Sequence, residues 1–266
     1  MTTWLLEADV LRKSYAAGRH PGVDVVRDMS IAIEPGENVG LVGEVGAGKS
    51  TVARMLTGQL APDYGSVRFE GTDLATLPPH DLLALASRLP LIPEDLDSVL
   101  PPKAKVGKAV GQPLDVVKTG PERRRHLVQA ALTAVMLPAD DVTGRRISSL
   151  SPAERARVAL ARALILRPRL VVADEPAGAL APAEAADLVR LMAELGMLHR
   201  VGYLLVTRDL ALAELLCHRL VVMDEGRVVD QGPTDQVMSR PLHPRSVELV
   251  EAARHPPPAE PDADGR

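Results

Sequence analysis

Apolar residues form short stretches near the start of the chain, either alternating with polar residues or running without a break, and both patterns predict β-strands. Residues 4–11 and 23–33 are two such stretches, and the turn-rich sequence AAGRHPG separates them. After a turn at 34–37, the apolar run 38–42 predicts a strand that enters a glycine-rich loop. The same patterns predict further strands at 66–70, 170–173, 202–206, 219–223 and 227–230.

Between these strands, apolar residues recur with the spacing of one helix face. Helices are predicted at 50–59, 121–136, 151–166, 182–195 and 210–216, whereas the proline-punctuated segment 78–113 shows no clear pattern. Strands that alternate with helices predict an α/β fold with a parallel sheet. The polar, proline-rich sequence 255–266 predicts a disordered tail.

Length and composition restrict the function classes. The 266 residues allow one large or two small domains, and the net charge of −4 gives no overall basic field for nucleic acid. With so few aromatic side chains, the core must be aliphatic and base-stacking surfaces are nearly excluded. We therefore expect no nucleic-acid partner. The aromatic residues are Trp4, Tyr15, Tyr64, Phe69 and Tyr203.

Cysteine and membrane signals are equally sparse. Cys217 is the only cysteine, so one chain can form neither a disulfide nor a metal site made of several cysteines. The first apolar stretch contains Glu7 and Asp9, which does not fit a signal peptide. Because no apolar run approaches the roughly 18 residues of a membrane span, any membrane role is expected to come through a partner.

A glycine-rich loop carries the strongest chemical signal. The stretch GEVGAGKST at 43–51 fits the pattern G-x-x-x-x-G-K-[ST], with a predicted strand before it and a helix after it. Glycines let successive backbone N–H groups face one phosphate, Lys49 supplies charge, and the Ser50 hydroxyl can ligate Mg²⁺. This context favours nucleotide binding over a glycine-rich turn with an incidental lysine. The predicted nucleotide-binding residues are Gly43, Glu44, Val45, Gly46, Ala47, Gly48, Lys49, Ser50 and Thr51.

Two carboxylates end the predicted strand at 170–176, LVVADEP. Asp174 at the strand tip is a candidate Mg²⁺ ligand, together with Ser50. Glu175 follows it and is a candidate general base for an attacking water. The alternative is a solvated acidic turn, which the presence of the phosphate-binding loop makes the weaker interpretation.

The sequence LSPAERARVALARALILRPRLVVADEPAGAL at 150–180 resembles the signature motif, the helix after it and the Walker B strand of ABC transporter nucleotide-binding subunits. The resemblance extends from about residue 5 to 250. Residues 92–114 and 231–250 resemble the oligopeptide/dipeptide (peptide/nickel) importer ATPases in particular. Tyr15 stands where that family has an aromatic stacked on adenine, although a half-buried tyrosine at a strand end is the alternative.

This resemblance implies a P-loop NTPase with a RecA-like core, an N-terminal antiparallel β layer and an inserted helical subdomain at about 94–155, all within an ATP-binding domain of residues 1–254. It implies two ATPase subunits facing head to tail, with each ATP between the P-loop of one and the signature motif of the other, where Ser151 would contact it. The implied partners are two permeases and an external solute-binding protein. The implied location is cytoplasmic and peripheral, on the inner face of the cell membrane.

Four positions depart from the family pattern. Glu94 replaces the Q-loop glutamine, and Arg208 replaces the switch histidine in VTRDL. Arginine stays protonated and cannot shuttle a proton, although it can contact the γ-phosphate. The alternative for Arg208 is a solvated arginine away from the nucleotide. Ala181 replaces the D-loop aspartate.

The signature motif itself is the fourth departure, because the usual Leu-Ser-Gly-Gly-Gln is LSPAE at 150–154. Ser151, Pro152 and Glu154 also fit a helix-capping box, which would satisfy the helix N–H groups internally and make a poorer anion site. We therefore expect a subunit that binds ATP well and hydrolyses it slowly, paired with an unlike subunit rather than with itself.

Three functions remain open from the sequence. The first is an importer ATPase for peptides or a similar small solute. The second is an exporter ATPase, against which the importer-like segments argue, and the third is a mainly ATP-binding regulatory or structural subunit. The arginines at 123–125 and 145–146 favour a solvated surface over nucleic-acid binding in this acidic chain.

Overall fold

Two β-sheets organise the chain. The structure is a computed structural model, and it describes residues 4–17 and 20–254. The strands are β1 (Leu6–Ala17), β2 (His20–Ile33), β3 (Asn38–Val42), β4 (Tyr64–Phe69), β5 (Thr72–Asp73), β6 (Leu91–Ile92), β7 (Leu170–Asp174), β8 (Gly202–Thr207), β9 (Arg219–Asp224) and β10 (Arg227–Pro233). The helices are α1 (Lys49–Leu56), α2 (Pro79–Arg88), α3 (Val106–Gly111), α4 (Pro121–Ala134), α5 (Ala139–Val142), α6 (Pro152–Leu164), α7 (Pro182–His199), α8 (Leu210–Leu216), α9 (Thr234–Ser239) and α10 (Pro244–Arg254).

The N-terminal sheet is antiparallel and has the order β2-β1-β4-β5. The second sheet has the order β10-β9-β3-β8-β7-β6, and its strands from β9 to β6 are parallel, with β10 antiparallel at one edge. Parallel strands place their carboxyl ends at a common edge. The ends of β3, β8 and β7 are therefore neighbours, and the candidate site is built there.

Alternation along the strands of the second sheet divides the core into two layers. Leu41, Leu204 and Val206 pack with α1 and the N-terminal sheet. Val42 and Leu205 face the opposite layer, which includes residues of α3 to α8. The buried side chains are almost all aliphatic, as the composition predicts, with Phe69 and Tyr203 the buried aromatic residues among those described.

The predicted strands and helices are present, with shifted ends. Helix α7 continues to His199 instead of ending at 195, and β1 and β2 extend further toward each other than 4–11 and 23–33. The unassigned segment 78–113 contains α2, β6 and α3, and α9 and α10 were not predicted at all. The tail predicted to be disordered, 255–266, lies outside the described residues.

The segment predicted as a helical insertion contains α3, α4, α5 and the start of α6, which packs against α3 and α4. Cys217 is buried beside the end of α8, as an apolar residue would be, and burial raises the pKa of its thiol. Among the helices that the structure describes, none has the length and apolar character needed to cross a membrane.

Candidate nucleotide-binding site

The loop between β3 and α1 has a backbone that requires glycine. Gly43, Gly46 and Gly48 have φ values of 154°, 87° and 93°. A Cβ on Gly43 would lie 2.2 Å from the Met223 carbonyl oxygen, and one on Gly48 would lie 2.4 Å from the Val25 carbonyl oxygen. The backbone can therefore turn tightly only without these side chains, which leaves its N–H groups and the start of α1 facing an anion.

Lys49 is folded back onto this loop. Its Nζ donates to the carbonyl oxygens of Gly43 at 2.7 Å and Glu44 at 2.8 Å, and the residue is only 7% exposed. Burial lowers the pKa of Lys49, while the nearby Glu175 and Asp174 carboxylates raise it. The ammonium group is thus held beside the loop by two carbonyls, which a phosphate can replace.

Ser50 and Asp174 meet across the sheet edge. The Ser50 hydroxyl donates to Asp174 Oδ1 at 3.1 Å, and Asp174 is 4% exposed at the end of β7. Burial raises the pKa of Asp174, and the Ser50 hydrogen bond opposes that rise. Among the described residues, no group of three or more His, Cys, Asp or Glu side chains is placed to hold a metal. Mg²⁺ commonly uses one or two carboxylates and substrate phosphates, so a hydroxyl and a carboxylate here fit it.

Glu175 is held by the end of the neighbouring strand β8. Its Oε2 accepts from the Thr207 hydroxyl at 3.0 Å, and its Oε1 accepts from the Arg208 backbone N–H at 2.8 Å. Its own backbone N–H donates to the Val206 carbonyl at 2.8 Å, and its φ of 44° lies in the left-handed region. Both carboxylate oxygens and the backbone of Glu175 are therefore oriented by β8.

A cavity of about 700 Å³ opens beside the loop. Three replaced family positions line it, Glu94, Arg208 and Pro152 of the altered signature, so all three lie near the phosphate-binding residues. Tyr15 and Ser151 are not among its lining residues. Tyr15 is exposed on β1, opposite Val23 of β2. The predicted site residues that line the cavity are Val45, Gly46, Gly48, Lys49, Ser50, Thr51, Glu94, Glu175 and Arg208.

Ser151 begins α6 in the predicted capping box. Its hydroxyl accepts from the Glu154 N–H at 3.1 Å, and the Glu154 carboxylate accepts from the Ser151 N–H at 2.8 Å. Arg145 also donates to Glu154, at 2.8 Å. The Ser151 N–H and Arg145 lower the pKa of Glu154. The helix start therefore carries a carboxylate that already has its own partners.

Two residues of these arrangements were missed by the sequence analysis. Thr207 directly precedes Arg208 in VTRDL, but its contact with Glu175 depends on β7 and β8 being neighbours. Arg145 was grouped with Arg146 as a surface pair, yet its guanidinium donates to Glu154 and to the Ser149 carbonyl oxygen. The sequence signal for Arg145 was only its position before the capping box.

A phosphate-binding loop at the end of β3, next to an acidic end of β7, defines the class of P-loop nucleotide-binding proteins. The profile of the family described as "ABC transporter" matches residues 26–178. The chain belongs to the ABC transporter family and is an ABC-type ATPase that binds ATP.

Curated relatives support this assignment over nearly the whole chain. A "Probable peptide ABC transporter ATP-binding protein" of Sinorhizobium fredii is 34% identical over 265 residues, covering 97% of this chain and 75% of the relative. A "Nickel import ATP-binding protein" of Rhodospirillum rubrum is 32% identical over 252 residues, covering 93% of this chain and 91% of the relative.

Solved structures share the fold. An ATP-binding cassette in a dimeric post-hydrolysis state bound to ADP and Pi has a TM-score of 0.78 at 23% identity, covering 86% of this chain and 98% of that one. A Clostridium perfringens protein that is part of the ABC transporter complex cbiONQ has a TM-score of 0.79 at 24% identity, covering 96% of each chain. The predicted α/β, RecA-like ABC ATPase fold is confirmed.

Proposed function

We propose that this chain is the ATP-hydrolysing subunit of an importer that energises the uptake of peptides or a similar small solute. Support for import comes from relatives whose names specify peptide transport and nickel import. The partners in this proposal are two membrane permeases and an external solute-binding protein, and the chain works peripherally on the inner face of the membrane. The exporter alternative is not what these two names specify.

The observation that carries the hydrolytic role is that Ser50, which lines the cavity with Glu175, also donates to the buried Asp174 carboxylate beside the glycine-rich loop. Lys49 and the loop N–H groups bind the phosphates, while Ser50 and Asp174 would hold Mg²⁺. When bound, Mg²⁺ neutralises charge that develops on the phosphates. Glu175 orients the attacking water and accepts its proton.

The remaining predicted residues take supporting roles in this proposal. Arg208 faces the phosphates as a fixed positive charge, and Glu94 adds a carboxylate near the metal. Tyr15 stacks on adenine from the N-terminal sheet. Residues of about 94–155 form the helical subdomain that carries Ser151 toward the opposite subunit.

The capping box supports pairing with an unlike ATPase subunit. An ordinary signature motif offers N–H groups to the γ-phosphate bound by the opposite subunit. Here Glu154 accepts from the Ser151 N–H and presents negative charge at the same helix start. The site on this chain's own P-loop would receive a regular signature from the partner and would turn over slowly. The site on the partner's P-loop would receive the altered one.

Substitution of Glu175 by glutamine in the co-purified assembly tests the proposal, with the equivalent substitution in the partner ATPase as its matched control. In this chain Glu175→Gln should leave ATP binding intact, because glutamine keeps the side-chain shape, and should remove the hydrolysis that this P-loop contributes. Steady-state ATPase rates and nucleotide affinity measure both. Retained turnover at this site would contradict the role of Glu175. Total loss of turnover from this chain's variant but not from the partner's would contradict the weak-site hypothesis.

A mainly ATP-binding, regulatory subunit is the second candidate. The replaced positions Glu94 and Arg208 favour it, since both line the cavity beside this chain's own phosphate-binding loop. This candidate predicts nucleotide-dependent assembly with no change in total turnover for Glu175→Gln. The same pair of assays therefore separates it from the hydrolytic role.

A further inference from the structure

The Thr207 hydroxyl lies between two groups that fix its direction. It donates to Glu175 Oε2 at 3.0 Å and accepts from the Asp209 backbone N–H at 3.0 Å. A hydroxyl has one proton to donate. Because the Asp209 N–H occupies the acceptor side, the single proton is directed at the carboxylate.

The surroundings keep this arrangement in one conformation. Thr207 is the last residue of β8 and is 2% exposed, so its β-branched side chain has little rotational freedom. The Asp209 side chain caps α8 by accepting from the Leu212 N–H at 3.1 Å, which fixes the turn that carries the Asp209 N–H. The hydroxyl is thus anchored by strand, helix cap and burial together.

Glu175 has no equivalent support from its own strand. Its backbone has left the β conformation, with φ of 44°, and its carboxylate contacts reach across to the β8 end. The Arg208 N–H holds one oxygen, but a backbone group alone leaves the carboxylate free to rotate about that contact. The Thr207 hydroxyl holds the second oxygen, and two held oxygens together with the carboxylate carbon fix the plane of the group.

We propose that Thr207 is a positioning residue for ATP hydrolysis, which fixes the orientation of the Glu175 carboxylate toward the attacking water. The inference rests on the proposed role of Glu175 as general base. It assigns to Thr207 an effect on the chemical step and none on nucleotide binding, because the hydroxyl contacts neither the loop nor Lys49. The turn 207–209 thereby connects the exposed Arg208 side chain in the cavity to the orientation of the base.

Thr207→Val and Thr207→Ser test this in the full-length chain together with the subunits that co-purify with it. Valine keeps the β-branched shape but has no hydroxyl, so kcat should fall about tenfold or more, as for loss of a hydrogen bond to a charged group. KM for ATP and nucleotide affinity should change by less than about twofold, because the contacts that bind the nucleotide in both the ground state and the transition state are kept. Serine restores the hydroxyl and should recover most of kcat.

Thr234→Val is the matched control. The Thr234 hydroxyl is also buried and donates to the Cys217 carbonyl oxygen at 2.7 Å, away from the cavity, so its loss should lower thermal stability without changing kcat. If Thr207→Val does not fold, Thr207→Ser and Thr207→Ala still differ by the hydroxyl alone and must differ in kcat.

Outcomes for Glu175→Gln and Thr207→Val separate the two levels of inference. The positioning role alone is overturned if Glu175→Gln loses hydrolysis while Thr207→Val keeps a normal kcat. It is also overturned if Thr207→Ser and Thr207→Ala are equally defective. Full turnover in the glutamine variant, or no hydrolysis by the unsubstituted assembly, overturns the proposed function and this inference with it.

Discussion

Gly43 is constrained by the atoms around its α-carbon rather than by any side-chain chemistry. A Cβ there would meet the backbone carbonyl of Met223 at 2.2 Å, and backbone atoms cannot move aside as a side chain can. Gly46 has a positive φ as well, but no atom of the described residues lies within 4 Å of the Cβ it lacks. The two glycines of one loop therefore tolerate alanine to different degrees.

Gly43→Ala should lower the free energy of unfolding by more than the roughly 1–2 kcal/mol of conformational strain alone, and it should weaken ATP binding, since the shifted backbone would also move the carbonyl that Lys49 contacts. Gly46→Ala is the control, with a cost near the conformational strain alone, about 1–2 kcal/mol. Urea unfolding and nucleotide titration compare them. Equal stability of the two variants would show that the loop relaxes around the added methyl group.

At the same scale, the chemistry of the loop was predictable and the environment of Glu175 was not. Lys49 and Ser50 follow from the sequence because phosphate and Mg²⁺ demand those residue types at fixed spacing on one short segment. Thr207 has no such local signature, since its role depends on a carboxylate 32 residues away in sequence.

Among the elements, helix α6 begins with a capping box at the position where the family has its signature motif. The sequence predicted its capping box because Ser151 and Glu154 act on each other within one turn. The added contact from Arg145 was not predictable, because Arg145 belongs to the preceding loop and reaches Glu154 only in the folded chain.

Glu154→Ala should lower the unfolding free energy at pH 7 by roughly 1 kcal/mol, because the carboxylate contacts with Ser151 and Arg145 are lost. Its folded pKa is lowered, so this stabilisation is complete above the ordinary glutamate pKa of about 4.3 and disappears as pH falls through the lower folded value. Thermal melts from neutral to acidic pH measure the decline.

Glu154→Gln is the control for charge in that experiment. Glutamine can keep the contact with the Ser151 N–H but does not titrate. The difference between the glutamine and alanine variants should therefore stay constant with pH. A pH-independent difference between the unsubstituted protein and Glu154→Ala would contradict the ionic contribution.

The ends of the helices show where the apolar periodicity of the sequence predicts structure and where it does not. The long helix α7 was found but was predicted to end early, at 195; Gly196 follows, a residue type that often ends helices, yet the helix continues through it to His199. The six-residue helix α9 carries too few turns for a periodic signal. Helix α10 follows it after a proline-containing turn and was also missed. Burial against the rest of the molecule, not local pattern, stabilises such helices.

At the scale of the whole molecule, Asn38 connects distant parts of the chain. Its Oδ1 accepts from the Tyr203 N–H at 3.0 Å, and its Nδ2 donates to the Leu216 carbonyl oxygen at 3.2 Å. The residue is buried at the start of β3, so it joins that strand to β8 and to the end of α8. This amide satisfies two backbone groups that water cannot reach.

Asn38→Ala should lower the unfolding free energy by about 1–3 kcal/mol, because it leaves a buried N–H and a buried carbonyl without their partner. Asn38→Asp is a sharper comparison, since a carboxylate accepts from Tyr203 but repels the Leu216 carbonyl oxygen. Chemical unfolding of both variants, with secondary structure checked by circular dichroism, measures the effect. Native stability in the aspartate variant would contradict the need for the amide donor.

The sequence by itself determined the properties that act over a few residues. These are the apolar patterns that predict strands and helices, the glycines and Lys49 of the phosphate-binding loop, and the capping box of α6. Each depends on neighbours within one turn or one loop, so residue type and spacing suffice to predict it.

Only the tertiary structure decided which strand ends share an edge. The order β3-β8-β7 brings Ser50 to Asp174 and Thr207 to Glu175. Hydrogen bonds require a donor and an acceptor about 3 Å apart in the right direction. That condition is set by how crossover connections arrange the parallel strands, which the local pattern of each strand does not specify.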